Sequence, residues 1–202
     1  MSQRGRPRAF DSDAALRRAM LVFWEKGYEA TSMADLTAAM QIGAPSLYAA
    51  FGNKAELFAA ALKTYKAEIG MEIWDALPKA ATARQAFADF LAETAIAYAH
   101  PDRPRGCMIA LGVLNGDTEA IPACELLRDS RLENSSLLRE RLEQGVRDGE
   151  IPPSVDCQQI ADFYATVQHG MSITARDGAT LASLQSTADA AMAAWDTLTS
   201  PR

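Results

Sequence analysis

Apolar positions recur along the chain at intervals of three and four residues, with small or charged residues between them. Across 12–26 they are Leu16, Ala19, Met20, Phe23 and Trp24, one face of an amphipathic helix that Gly27 stops. Ser32-Met33-Ala34-Asp35 reads as a capping box, with Thr31 as the other candidate cap, and opens a short helix ending near Met40. After Gln41-Ile42-Gly43, Pro45 marks the first turn of another short helix, which Gly52-Asn53 closes. A long helix begins near Lys54 with Leu57, Phe58, Ala61, Leu62, Tyr65, Ile69 and Ile73 on one face, reaching Leu77 before Pro78 stops it. Five further helical stretches follow, over about 81–99, 106–114, 122–147, 155–176 and 180–198. No segment alternates with period two, and no repeat is evident. The pattern predicts an all-α protein of about nine helices, dividing near Lys54 into residues 1–53 and 54–202.

Composition agrees: 39 alanines and 19 leucines stand against five valines and nine isoleucines. With 202 residues, 49% of them hydrophobic, the chain can bury a real core. The longest apolar run, Cys107 to Leu114, is eight residues, well short of the roughly 18 that suggest a membrane span. The N-terminus is basic and polar with no apolar stretch behind it, so no membrane association and a cytoplasmic location are expected. Cys107, Cys124 and Cys157 are too few and too scattered for a disulfide framework or zinc cluster. Neither His100 nor His169 has a second ligand at metal spacing. No metal, no cofactor and no enzymatic activity are expected.

Charge is distributed unevenly. Residues 1–66 hold nine Lys/Arg and six Asp/Glu, a balance of +3; the remainder holds eleven and twenty, a balance of −9, and together they give the net −6. A basic front on an acidic body suits a polyanionic partner at one end. The two short helices joined by about four residues, with a helix and a basic tail before them, form a helix-turn-helix pattern. The second of them exposes Ala44, Pro45, Ser46, Ala49 and Ala50, while Leu47 and Phe51 face the core. Such a helix can enter a major groove.

The stretch FWEKGYEATSMADLTAAMQIGAPSLYAAFGNKAELFAAAL resembles the DNA-binding domain of the TetR-type bacterial transcriptional regulators. The likeness spans residues 10–62: an aromatic four residues before Gly27-Tyr28, Thr31-Ser32 at the second helix, then Leu47-Tyr48, Phe51-Gly52 and Lys54. It departs from the family at Gln41, where Gly is usual, and at Gly43, where Ser or Thr is usual. Beyond residue 66 the likeness is architectural. The resemblance implies an all-helical homodimer on a palindromic double-stranded DNA operator, with a C-terminal domain that binds a small-molecule effector.

Each residue then has an expected role. Thr31 and Ser32, at a helix N-terminus, are placed for a phosphate. Tyr48 is placed for a second, as the corresponding family tyrosine is, and Lys54 for a third; these contacts orient the protein without reading bases. Base reading falls to Ala44, Pro45, Ser46 and Ala49, with thymine methyls favoured, and Gly43 offers a backbone N–H. Arg4, Arg6 and Arg8, in RGRPR, form a cationic arm for phosphates or a minor groove.

In the second domain, Trp74, Phe87, Phe90, Tyr98, Met108, Leu111, Phe163, Tyr164 and Val167 are candidate lining of an effector pocket, and each is equally an ordinary core residue. Among the polar residues on these helices, Arg131, Asn134, Gln168 and His169, some are candidates to orient a ligand, and Gln168 is carried with the lining. Dimerisation is expected through the last two helices, along Ile160, Phe163, Val167, Met171 and Leu181, Leu184, Ala188, Met192, Trp195, with Gly170 permitting close approach. Cys107, flanked by Arg103 and Arg105 in RPRGCMIA, lines the same pocket or supplies the alternative signal, a thiol lowered in pKa that senses oxidants or electrophiles.

Overall fold

The computed structural model describes residues 11–113 and 117–200. Its elements are α1 (Ser12–Ala30), α2 (Met33–Met40), α3 (Ala44–Phe51), α4 (Lys54–Tyr65), a π-helical turn (Lys66–Gly70), α5 (Met71–Trp74), α6 (Ala76–Lys79), α7 (Ala83–Tyr98), α8 (Met108–Leu111), α9 (Ile121–Arg147), α10 (Cys157–Arg176), α11 (Leu181–Ala193) and α12 (Trp195–Leu198). Each of the nine stretches read from the sequence contains helix, the one expected over 106–114 only in the single turn of α8, and no strand occurs among the described residues. Two stretches are subdivided. The long one from Lys54 passes through the π turn and α5 into α6, and the last one breaks at Ala194 between α11 and α12. Pro78 does not stop the helix at Leu77, because it lies in the single turn of α6, where a missing N–H costs little. None of the described helices is long and apolar enough to cross a membrane.

The first three helices are shaped by local signals. Asp11 caps α1, accepting from the backbone N–H groups of Asp13 and Ala14. Gly27 ends its regular part with φ 78° and ψ 172°. A side chain there would also place its Cβ 2.8 Å from the Gly112 carbonyl oxygen, which accepts from the Tyr28 N–H at 2.9 Å. Ser32 and Asp35 form the expected capping box of α2. Leu36, Met40 and Leu47 are fully buried and lock α2 and α3 onto α1 and α4, where Phe23, Tyr28 and Phe58 pack ring against ring.

A second aromatic group, Phe87, Tyr164 and Trp195, fastens α7, α10 and the end of the chain, with centroids 4.8–6.1 Å apart. The loop entering α8 connects the two ends of the molecule. The Trp24 indole donates to the Gly106 carbonyl at 3.1 Å. From α10, the Arg176 guanidinium donates to the carbonyls of Trp24 (2.8 Å), Glu25 (2.8 Å) and Arg105 (3.0 Å). The Cys107 N–H donates to Ser172 Oγ at 2.8 Å. The end of α1, the loop and α10 therefore meet in one hydrogen-bonded junction.

Candidate nucleic-acid interface and effector cavity

The α2–turn–α3 unit is held from beneath and open above. Gln41 closes α2 in the left-handed region (φ 58°, ψ 39°), the sole positive φ outside glycine among the described residues. That turn swings the chain so that Gly43 caps α3 and Pro45 fills its first turn. Leu47 is buried, whereas Gly43, Ala44, Pro45, Ser46, Ala49 and Ala50 are exposed. The result is a short helix whose outer face carries small side chains and one long one, Tyr48, which is 51% exposed.

The N-terminus of α2 differs from expectation at one residue. Thr31 is fully buried, and its hydroxyl donates to the Gly27 carbonyl at 2.6 Å, so it is unavailable to a phosphate. The break at Gly27 frees that carbonyl and turns it toward Thr31. Ser32 is exposed, but Asp35 already takes its hydroxyl (2.7 Å) and its N–H (2.9 Å). Lys26 bonds to the same carboxylate at 2.6 Å, and hydrogen bonds from Lys26 and Ser32 hold Asp35 well below the usual carboxylate range. An anion arriving here meets a carboxylate balanced by Lys26. Lys54 is half-buried, with Nζ 4.4 Å from the Tyr28 ring centroid. Arg4, Arg6 and Arg8 lie outside the described residues.

A cavity of about 520 Å³ opens between α4, the π turn, α5, α7, α9 and α10. That is the size of small-molecule sites in general. Of the expected lining, Trp74, Tyr98, Cys107 and Gln168 are there. Phe87, Phe90, Met108 and Tyr164 are not: all four are fully buried in the core, engaged with one another's elements rather than with open space. Leu111 packs half-buried against the core, and Val167 does likewise. Phe163 is an exposed residue of α10, stacked edge-on to Tyr164. The walls come instead from residues the sequence reading passed over, including Leu62, Tyr65, Ala67, Gly70, Leu126, Ser130 and Leu137, together with Asn134. A signal for two of them exists. The buried stripe of α9 runs Ala123, Leu127, Ser130, Asn134, Leu138, Leu142, and two adjacent polar members interrupt an otherwise apolar face.

Cys107 does line the cavity, but its surroundings differ from those expected of a reactive thiolate. Arg103 bonds both carboxylate oxygens of Glu72, and Arg105 donates to the Ala179 carbonyl. The sulfur accepts from the Tyr65 hydroxyl at 3.5 Å and lies near Tyr98. Burial raises the pKa of both phenols well above the ordinary tyrosine value. Of the polar candidates, Arg131 donates to the Ile109 carbonyl, and His169, outside the cavity, has its pKa lowered by burial and then by Arg131.

The stripes assigned to a dimer contact are mostly occupied within the chain. Ile160, Met171, Leu184, Ala188 and Trp195 are buried in the core, and Met192 is half-buried against it. What α10 and α11 leave outside is Phe163, Gly170, Ile173 and Leu181. Outside the core stripe α10 keeps Phe163 and Ile173, whereas α11 keeps Leu181 and alanines among polar residues.

A family model described as bacterial regulatory proteins, tetR family, matches residues 15–61, and one described as tetracyclin repressor-like, C-terminal domain, matches residues 88–191. The chain is 37% identical over 196 residues to the HTH-type transcriptional repressor ComR of Escherichia coli (strain K12), covering 96% of this chain and 93% of that one. It is 31% identical over 184 residues to the HTH-type transcriptional repressor BdcR of the same organism, covering 91% and 88%. Among solved structures, a cysteine mutant of the TetR family transcriptional regulator CifR, complexed with 26-base-pair double-strand operator DNA, superposes with a TM-score of 0.91 at 43% identity, covering 95% of this chain and 100% of that one. With both of its halves matched and its relatives aligned almost end to end, the chain belongs to the TetR family of bacterial transcriptional regulators.

Proposed function

We propose that the protein is a homodimeric transcriptional repressor that binds a palindromic operator through α3 and leaves it when a small apolar molecule enters the cavity. Residues 1–53 are the DNA-binding domain, and 54–202 bind the effector and the second subunit. The observation that carries this reading is the outer face of α3, exposed and built from small side chains on a rigid support. The operator complex of CifR and the repressor names of ComR and BdcR support it. Tyr48 and Lys54 take phosphates, as does Ser32 once its hydroxyl and N–H let go of Asp35, while Ala44, Pro45, Ser46 and Ala49 meet base edges and the Gly43 N–H lies beside them. Arg4, Arg6 and Arg8 extend the basic surface along the duplex. A protein acting on chromosomal DNA works in the cytoplasm. Effector release requires the ligand to bind the conformation that cannot hold DNA more tightly than the one that can. The commitment of Arg103 and Arg105 to other partners favours reversible ligand binding over cysteine chemistry as the signal.

A gel-shift titration with the DNA upstream of the protein's own gene tests the reading. A sequence-specific complex is expected, lost in Ala49→Glu, which puts a carboxylate on an exposed helix face without touching the core. Removal of residues 1–9 should weaken binding and flatten the dependence of log K on log salt, because up to three cation–phosphate contacts are lost. A folded dimer with no preference for that DNA over random duplex would overturn the proposal.

A further inference from the structure

The cavity's polar groups are not equally committed. The Ser130 hydroxyl donates to the Leu126 carbonyl at 2.9 Å. The Tyr65 hydroxyl donates to the Cys107 sulfur at 3.5 Å, and that of Tyr98 lies near the same sulfur. Gln168 donates through Nε2 to Thr94 Oγ1 at 3.3 Å. Asn134 is different. It is 8% exposed, lines the cavity, and makes no hydrogen bond with any described residue. Its amide is not sealed in protein but opens into the cavity, where a water or a ligand can answer it. Charge is confined to the mouth, where Lys66 pairs with Glu133 and Lys63 is exposed. Arg103, whose charge reaches Tyr65, commits Nη1 and Nη2 to Glu72 and keeps a buried, unpartnered Nε, but it does not line the cavity. A ligand carboxylate at the deep end would therefore find no cation among the lining residues there, Lys63 and Lys66 being at the mouth.

We infer that the cavity takes a small, uncharged, largely apolar molecule carrying a single hydroxyl or carbonyl oxygen, anchored by the Asn134 amide. The inference deepens the effector reading of this cavity and rests on it. The Asn134 N–H₂ donates to the ligand oxygen, and the rest of the molecule lies along Leu62, Ile73, Trp74 and Leu126. The π turn serves this shape. It sets Ala67 and Gly70 in the wall, while Lys66, the one long side chain of that turn in the lining, is drawn to Glu133 at the mouth.

The full-length protein can be tested with N-phenylnaphthylamine, an uncharged dye that fluoresces in apolar sites, displaced by octanone, octanol, octane and octanoate. The dye should saturate at one per chain. Octanone and octanol should displace it about tenfold better than octane, the difference made by one hydrogen bond, and octanoate should do no better than octane. Asn134→Leu, similar in size, should keep the dye and octane but lose the advantage of the oxygenated compounds. Ala67→Trp, an exposed position at the rim, should abolish dye binding while leaving the fold intact. Displacement by octanoate equal to that by octanone would mean a buried cation site and overturn the inference. So would an oxygen preference that survives in Asn134→Leu, or no preference in the parent, which would mean that the amide keeps a water. Release of the operator complex is read separately. Octanone that binds through Asn134 but leaves the complex intact supports the ligand class and counts against effector-driven release. Release by compounds that ignore the oxygen overturns the ligand class alone.

Discussion

Tyr48 stands from α3 with half its surface in solvent and no core role to explain it. If its hydroxyl meets a phosphate, Tyr48→Phe should weaken binding to every duplex by roughly 1 kcal/mol, the worth of one ordinary hydrogen bond. Titrating the operator and a set of single-base variants checks this, since a loss confined to one base change would make Tyr48 a base reader. Gln41 makes the opposite case, a residue working against its own backbone. It occupies the left-handed region with an exposed side chain that makes no hydrogen bond among the described residues. Gln41→Gly should therefore raise stability by about 0.5–1 kcal/mol, the relief of the Cβ clash less the added freedom of glycine when unfolded. Urea denaturation reads it, and an unchanged or lower midpoint would mean that the turn carries no such strain. Both sites show how far local sequence reaches. The Ser32–Asp35 box was legible because its bonds join residues three apart. The burial of Thr31 was not, because it depends on how Gly27 orients a carbonyl that sequence leaves undirected.

At the scale of elements, helix positions followed from the 3.6-residue period, but the assignment of aromatic residues to the cavity did not. A core face and a cavity wall demand the same apolar periodicity, so Phe87, Phe90 and Tyr164 read equally well as either. Packing settled it: rings that can stack fill the core, and the hollow forms where the π turn presents Ala67 and Gly70 while Lys66 pairs with Glu133 of α9 at the mouth. The junction of α1, α8 and α10 is another product of tertiary geometry. Arg176 satisfies the Trp24 and Glu25 carbonyls, which lie in the last turn of α1 before the Gly27 break, and binds the Arg105 carbonyl as well. Arg176→Met keeps the side-chain bulk and removes all three bonds. It should cost about 2–3 kcal/mol in urea unfolding, since hydrogen bonds to charged groups are the stronger kind. A loss below about 0.5 kcal/mol would mean that water replaces the guanidinium without strain. Cys107, in the same loop, both lines the cavity and donates its N–H to Ser172 of α10, so the cavity wall and the end of α1 share this junction.

For the whole molecule, the two ends carry opposite charge, +3 over residues 1–66 and −9 beyond, which orients the basic end toward DNA. A palindromic operator asks for two such ends about one helical turn apart, and hence for a second copy of the chain. The sequence pointed to the last two helices but could not separate the stripe that packs inward from the one left outside. Trp195 illustrates the consequence. It packs on Phe87 and Tyr164 within the chain, so Trp195→Asp would damage the fold and report nothing about dimerisation. Gly170 is the cleaner probe. It lies on the exposed side of α10, between Phe163 and Ile173, and a Cβ built there meets no atom within 4 Å. Gly170→Trp should therefore fit the single chain and obstruct only a partner. The expected outcome is a helical, folded protein that sediments as a monomer and has lost tight operator binding, because each monomer keeps half the contacts. Its unfolding midpoint should fall and cease to depend on protein concentration, since association no longer contributes to stability. A variant that stays dimeric and binds operator normally would place the contact away from this face of α10 and require a different pairing of the two DNA-reading helices.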